Sequence, residues 1–175
     1  MLEAVKVLDP VKNNLVHFIE TFQDKGQTCL VFERLDVDLY CLVWQQQRPM
    51  TLREIRPIAY QKEPYRVKLI DFGVSFISSL GTLRMTFQPL GYRAPEVSLG
   101  LPFSEAIDMW SLGCLLLFLY INNHPFASCE YQTMKALVDM LGMPADHLLS
   151  AGRYTHYYFK KDEHWFDPGW WIKVF

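Results

Sequence analysis

The chain has 175 residues, half of them hydrophobic and 15% aromatic, which suits one folded domain and excludes a disordered chain. Its 17 Lys and Arg against 19 Asp and Glu leave a net charge of −2, so there is no electrostatic basis for binding nucleic acid or an anionic membrane. Cys29, Cys41, Cys114 and Cys129 form no C-x-x-C pair, and the expectation is buried free thiols in a reducing compartment.

In chain order, Met1 to Pro10 carries Glu3, Lys6 and Asp9 among its apolar residues, unlike a signal peptide. "LVHFIETFQDKGQTCLVFE" predicts two strands around an Asp24-Lys25-Gly26 turn. "DLYCLVWQQQ" predicts a helix. "TLREIRPIAY" opens on Thr51 with Glu54 three residues later, a capping-box signature, and Pro57 must limit or kink the helix around it. "YRVKLI" predicts a short strand with Val67 and Leu69 on one face.

"SEAIDMWSLGCLLLFLYI" begins on a good N-cap, Ser104, and becomes apolar on all sides, as a helix at the centre of a domain would be. Its apolar run, Met109 to Ile121, is shorter than the roughly 20 residues of a membrane-spanning helix. "EYQTMKALVDML" predicts an amphipathic helix stopped by Gly142 and Pro144. The tail "HWFDPGWWIKVF" holds Trp165, Phe166, Trp170 and Trp171. It reads as core stripped of its cover, in a chain cut within a packed region, rather than as a binding box.

The motifs that carry chemistry begin with Asp71-Phe72-Gly73, placed after the short apolar strand. Ala94-Pro95-Glu96 follows in "YRAPEVSLG", and "DMWSLGC" starts at Asp108. A strand, D-F-G, A-P-E and an aspartate-led core helix, in this order, match the protein kinase set. Arg93 is similar to the arginine of the branch holding cyclin-dependent, mitogen-activated and dual-specificity tyrosine-regulated kinases. "TCLVFERLDVDLY", "PYRVKLIDFG", "LGLPFSEAIDMWSLGC" and "GMPADHLLSAG" resemble the homeodomain-interacting protein kinase family. The likeness covers nearly the whole chain, which in turn covers about half of such a kinase domain.

That resemblance implies an α+β, partial protein-kinase-like fold. A small-lobe β-sheet remnant would occupy 1–33, with a hinge and incomplete helical large lobe over 34–175. It implies serine/threonine phosphotransfer from ATP with magnesium, acting on transcription regulators in the nucleus. Asp71 would hold magnesium on the nucleotide phosphates, and Phe32 would be the gatekeeper of the adenine pocket. The backbone of Glu33 and Leu35 would face the adenine edge. Thr86 stands where the family has its activating tyrosine. Glu96 would brace the activation segment and Asp108 would hold the backbone of the catalytic loop.

The departures are as informative. Before Gly73 the only glycine is Gly26, so a glycine-rich loop is not seen. "AVKV" imitates the strand of the phosphate-binding lysine, but Lys6 lies too close to Glu33 for a kinase small lobe. "MLEAVKVLDP" resembles instead the end of the family's C-helix. Between Asp38 and Asp71 there is no aspartate or histidine, and between Asn14 and Asn122 no asparagine. A base for the substrate hydroxyl and a second metal ligand are therefore missing. The likeness jumps from "LREIRPIAYQ" to "KEPYRVKLIDFG", as an internal deletion would make it. Leu90 and Gly91 replace an arginine and an aromatic, and the arginine that neutralises Glu96 has no matched position.

Plain structural readings stay open beside these. Asp71 would suit a turn, Asp108 a helix N-terminus, and His17, His124, His147, His156 and His164 show no metal spacing. The expectation is a kinase-family chain with impaired or absent catalysis and weak or absent nucleotide binding. The alternative is a non-catalytic interaction module competing for kinase partners.

Overall fold

The computed structural model describes residues 7–61, 66–77, 87–126, 129–162 and 169–173. They fall into two compact units, Met1–Phe76 and Ile77–Phe175.

In the first unit, β1 (Phe18–Asp24) and β2 (Gln27–Phe32) pair antiparallel with Asp24 opposite Gln27. The turn residues Lys25 and Gly26 both have positive φ, 47° and 79°. That is the hairpin geometry whose twist matches the strands, and it needs a glycine at its second position. Helix α1 (Leu39–Gln46) starts where the Cys41 N–H donates to Asp38 Oδ1 at 2.8 Å, and it ends at Gln47 in the left-handed region.

Helix α2 (Leu52–Ala59) carries the expected capping box. The Thr51 N–H donates to Glu54 Oε2 at 2.8 Å, and Arg48 clamps both Glu54 oxygens at 3.0 and 2.6 Å. Pro57 lies inside the helix, which ends at Ala59. Ile55 and Ile58 bury their side chains, as do Leu15, Val16, Val43 and Met50 in the same unit.

The Arg48 guanidinium, then the Thr51 N–H and hydroxyl, hold the Glu54 carboxyl at about 2, well below its ordinary 4.5. Because the folded value is the lower one, this contribution is complete above about pH 4.5 and fades as pH falls towards 2. The melting temperature of Glu54→Gln should therefore lie below that of the parent at pH 7 and converge with it at pH 2. A constant gap between the two melting curves across that range would contradict the assignment.

The strand expected at "YRVKLI" does not form among the described residues. Leu69 makes one parallel bridge to Leu15, with Val16 N–H to Leu69 O at 3.0 Å and Leu69 N–H to Asn14 O at 2.8 Å. Asn14 and Asp71 sit in the left-handed region, φ 51° and 58°, so the pairing stops on both sides of the bridge. Leu69 and Ile70 are left exposed.

Among the described residues of the second unit, a 3₁₀ turn (Leu90–Tyr92) comes first, followed by α3 (Pro95–Leu99). Gly100 ends α3 at φ 70°, and any Cβ there would lie 2.6 Å from the Tyr154 ring. Helix α4 (Ala106–Ile121) starts one residue later than expected. The Ser104 hydroxyl still accepts the Ala106 N–H at 3.3 Å. Helix α5 (Glu130–Leu141) ends at Gly142, φ 85°. Helices α6 (Asp146–Ala151) and α7 (Thr155–Tyr158) lead into a hairpin of β3 (Phe159–Asp162) and β4 (Gly169–Ile172).

The core of this unit gathers Leu99, Leu101, Met134, Leu137, Leu149, Tyr158 and Phe159, with Trp110, Phe126, Trp170 and Ile172 packed on it. Three expectations need correction. Helix α4 is not buried all round: Ile107, Cys114, Phe118 and Leu119 are buried, but Met109 and Tyr120 are 67% and 50% exposed. An all-round apolar helix needs cover on every side, and the described elements cover one. The tail is only partly stranded, since strand alternation turns Trp170 to the core and Trp171 outward. Trp165 and Phe166 lie outside the described residues. The four cysteines are free, but only Cys114 is buried, while Cys41 and Cys129 are exposed. Among the described residues, no helix is long and apolar enough to cross a membrane.

Candidate functional site

Strand β2 delivers Phe32 half-buried at its end, with its ring edge-on to Phe18 at 5.6 Å. The next residue, Glu33, is the knot of the first unit. Its N–H donates to His17 O at 2.9 Å, and its carboxylate Oε1 accepts the His17 N–H at 2.7 Å and the Lys68 ammonium. The Lys68 hydrogen bond, then the His17 N–H, lower the Glu33 carboxyl from its ordinary value. Leu35 is 38% exposed. Lys68 thus ties the end of β2 to the segment that leads into Asp71. Sequence reasoning missed this residue, because the two partners lie 35 residues apart.

Asp71 is exposed, and its Oδ1 accepts the Gly73 N–H at 3.1 Å. This is the self-capping turn that aspartate favours, and it explains how a non-glycine residue holds positive φ. A magnesium ion carried on nucleotide phosphates takes one or two protein carboxylates. Asp71 can supply one, with Oδ1 already shared. Among the described residues, no cluster of three His, Cys, Asp or Glu side chains could hold a metal by itself.

The remaining candidates lie in the second unit. Thr86 is outside the described residues. Arg93 is nearly buried, 11% exposed at its side chain. It donates to the carbonyls of Phe87 (3.2 Å) and Gln88 (3.3 and 3.4 Å), and its Nη1 meets Glu130 Oε1 at 2.7 Å. Gln88 was also missed. Its Nε2 donates to Ile107 O at 2.6 Å and Ser111 Oγ at 2.7 Å, while its Oε1 accepts the Ala94 N–H at 3.0 Å. Together Arg93 and Gln88 fasten the segment before A-P-E onto α4 and α5.

Glu96 sits in the first turn of α3, half-buried, with no ion-pair partner among the described residues. Asp108 is exposed in the first turn of α4, where its charge complements the helix dipole. Phe32, Glu33, Leu35 and Asp71 are thus placed in one unit, and Arg93, Glu96 and Asp108 in the other.

Compared with known families, the protein kinase domain matches residues 58–151, more than half of the chain. The chain belongs to the protein kinase family. The match runs from the end of α2 to the end of α6 and takes in D-F-G, A-P-E and α4. Among named kinases, this kinase chain is similar to homeodomain-interacting protein kinase 1 of Mus musculus. The two are 40% identical over 193 residues, 92% of this chain and 16% of that protein. It is 36% identical over 180 residues to homeodomain-interacting protein kinase 1 of Caenorhabditis elegans, 85% of this chain and 21% of that protein. It is 33% identical over 197 residues to homeodomain-interacting protein kinase 4 of Mus musculus, 94% of this chain and 32% of that protein.

The motif resemblance to the homeodomain-interacting kinases therefore holds. The chain spans between about a sixth and a third of the length of these curated relatives. The alignments to the mouse kinases, of 193 and 197 residues, are longer than the 175-residue chain itself, so they need gaps in this chain.

Proposed function

We propose that this kinase-family chain does not transfer phosphate itself and serves as a protein-interaction module among the partners of homeodomain-interacting kinases. The observation that carries the reading is the interval from Asp38 to Asp71. It supplies no aspartate or histidine base and no asparagine for a second metal ion. Phosphoryl transfer is positioning plus charge neutralisation around a substrate hydroxyl whose proton a base accepts. The turn that Asp71 makes with Gly73 supports the same reading, because it gives the exposed carboxylate a structural use without a metal.

The natural partners on this reading are proteins, transcription regulators by kinship with the family, and the natural compartment is the nucleus. ATP and magnesium are the family's cofactors, and binding here is weak or absent.

Thermal unfolding with millimolar magnesium-ATP tests the site. A ligand at 100 times Kd stabilises by about 2.7 kcal/mol, which moves a domain of this size by a few degrees. The expected shift is below about one degree, the same in Asp71→Asn as in the parent. A shift of several degrees that Asp71→Asn removes would overturn the reading in favour of a chain that retains a nucleotide site.

A further inference from the structure

Between α1 and α2 the chain leaves the helical conformation and runs along the surface. Arg48, Pro49 and Thr51 are exposed, and Met50 between them is buried at 1%. Thr51 is extended, with φ −73° and ψ 158°. Successive side chains of an extended chain point to opposite sides, so the anchor at Met50 turns the Thr51 hydroxyl outward. Thr51 Oγ1 and Arg48 Nη1 converge on one atom, Glu54 Oε2, at 2.8 and 3.0 Å. Arg48 Nη1 also donates to Pro49 O at 3.0 Å, and the arginine side chain stays 51% exposed. Across the whole sequence, Thr51 is the one serine or threonine with an arginine three residues before it.

That spacing is a chemical mark. Arginine-directed protein kinases pair a guanidinium three residues before the acceptor hydroxyl with carboxylates of their own cleft. To be read in this way Arg48 must leave Glu54, and an exposed ion pair contributes too little to prevent it. We infer that Thr51 is a phosphorylation site for a separate arginine-directed kinase that recognises Arg48, and that the phosphate then takes Arg48 from Glu54. In the transfer, Thr51 Oγ1 forms a bond to the γ-phosphorus of ATP held by that kinase. The bond from this phosphorus to the β–γ bridging oxygen breaks, ADP leaves with the electron pair, and the hydroxyl proton passes to the kinase's base. The new group carries a charge of about −1.5 to −2. It lies within reach of the guanidinium and beside the first turn of α2, where negative charge is favoured, and it repels the Glu54 carboxylate. The inference does not rest on the non-catalytic reading, because the chain is here the acceptor of phosphate.

The test incubates the whole 175-residue chain with ATP and a calmodulin-dependent protein kinase that reads arginine at this position, and subtracts a blank without that kinase. A synthetic peptide covering residues 44–56 is run beside it. Mass spectrometry should map one phosphate to Thr51 in the chain. Thr51→Asn, which keeps a capping side chain without a hydroxyl, should not take it up. Arg48→Gln should slow the transfer at least about tenfold, the loss expected when a guanidinium–carboxylate contact is removed. The same substitution in the peptide separates recognition from any loss of fold. In phosphorus NMR the phosphate should titrate below its ordinary value of about 6 and return towards it in the phosphorylated Arg48→Gln chain. Phosphate on the peptide but not on the chain would overturn the proposal, since the fold would then hide the hydroxyl. Phosphate on neither, a rate that Arg48→Gln leaves unchanged in both, or a phosphate titration that Arg48→Gln does not move would overturn it as well.

Discussion

Purified chain supplied with magnesium-ATP and a generic basic protein is expected to transfer phosphate no faster than the background without it. A positioned general base contributes about 10²–10⁴ in rate, and kinases with all their parts turn over at about 1–100 s⁻¹. Loss of the base alone puts turnover near 10⁻² s⁻¹ or lower for the slower of these enzymes. Each lost contact to developing charge removes about a further 10²–10³. The segment from Asp38 to Asp71 supplies no aspartate, histidine or asparagine, so the losses combine. An assay coupled to ADP release reads this directly. A rate within tenfold of an ordinary kinase would mean that another group accepts the hydroxyl proton.

Phe159→Ala is expected to unfold the second unit at physiological temperature. Phe159 opens β3, is 1% exposed, and packs with Leu149, Met134 and Tyr158 in one cluster. Truncating a buried phenylalanine costs about 3–5 kcal/mol, against the roughly 5–15 kcal/mol that holds a whole domain. The apolar stripe left exposed on α4 at Met109 and Tyr120 adds nothing to that reserve.

Tyr158→Phe is the matched control. Burial first, then the nearby Glu130, push its phenol up to about 12, and its hydroxyl reaches Glu130 Oε2 at a long 3.4 Å. Losing that bond should cost no more than about 1 kcal/mol. Guanidinium unfolding followed by tryptophan fluorescence separates the two. A Phe159→Ala midpoint as close to the parent's as that of Tyr158→Phe would show that this cluster does not hold the unit together.

The parts of the fold legible in the sequence are those whose signal is local. The Lys25-Gly26 hairpin, the Thr51–Glu54 capping box and the Gly142 stop each need residues within a few positions of one another. The features that could not be read depend on distant partners. "YRVKLI" has strand composition, but a strand forms only where another backbone runs beside it, and Asn14 to Val16 offers a single bridge. Helix α4 announces that it needs cover on all sides, yet its sequence cannot say which sides receive it. The β3–β4 hairpin was missed because "FKKD" shows no clear alternation and its partner comes after an intervening segment.

The same division holds at the site. Asp71, Arg93, Glu96 and Asp108 were legible as motif positions. The turn that Asp71 makes with Gly73, the tie from Lys68 to Glu33 and the staple made by Gln88 were not. Nothing in the pattern marks a neutral glutamine as the residue that fastens a segment to a helix.

If this member of the protein kinase family acts without phosphoryl transfer, label from γ-labelled ATP should not reach a basic protein in its presence. Parent and Asp71→Ala chains, prepared side by side, are compared for that incorporation. Equal incorporation is expected for the two, at the level of the blank without protein. Incorporation by the parent at about 1 s⁻¹ or faster, lost in Asp71→Ala, would contradict it.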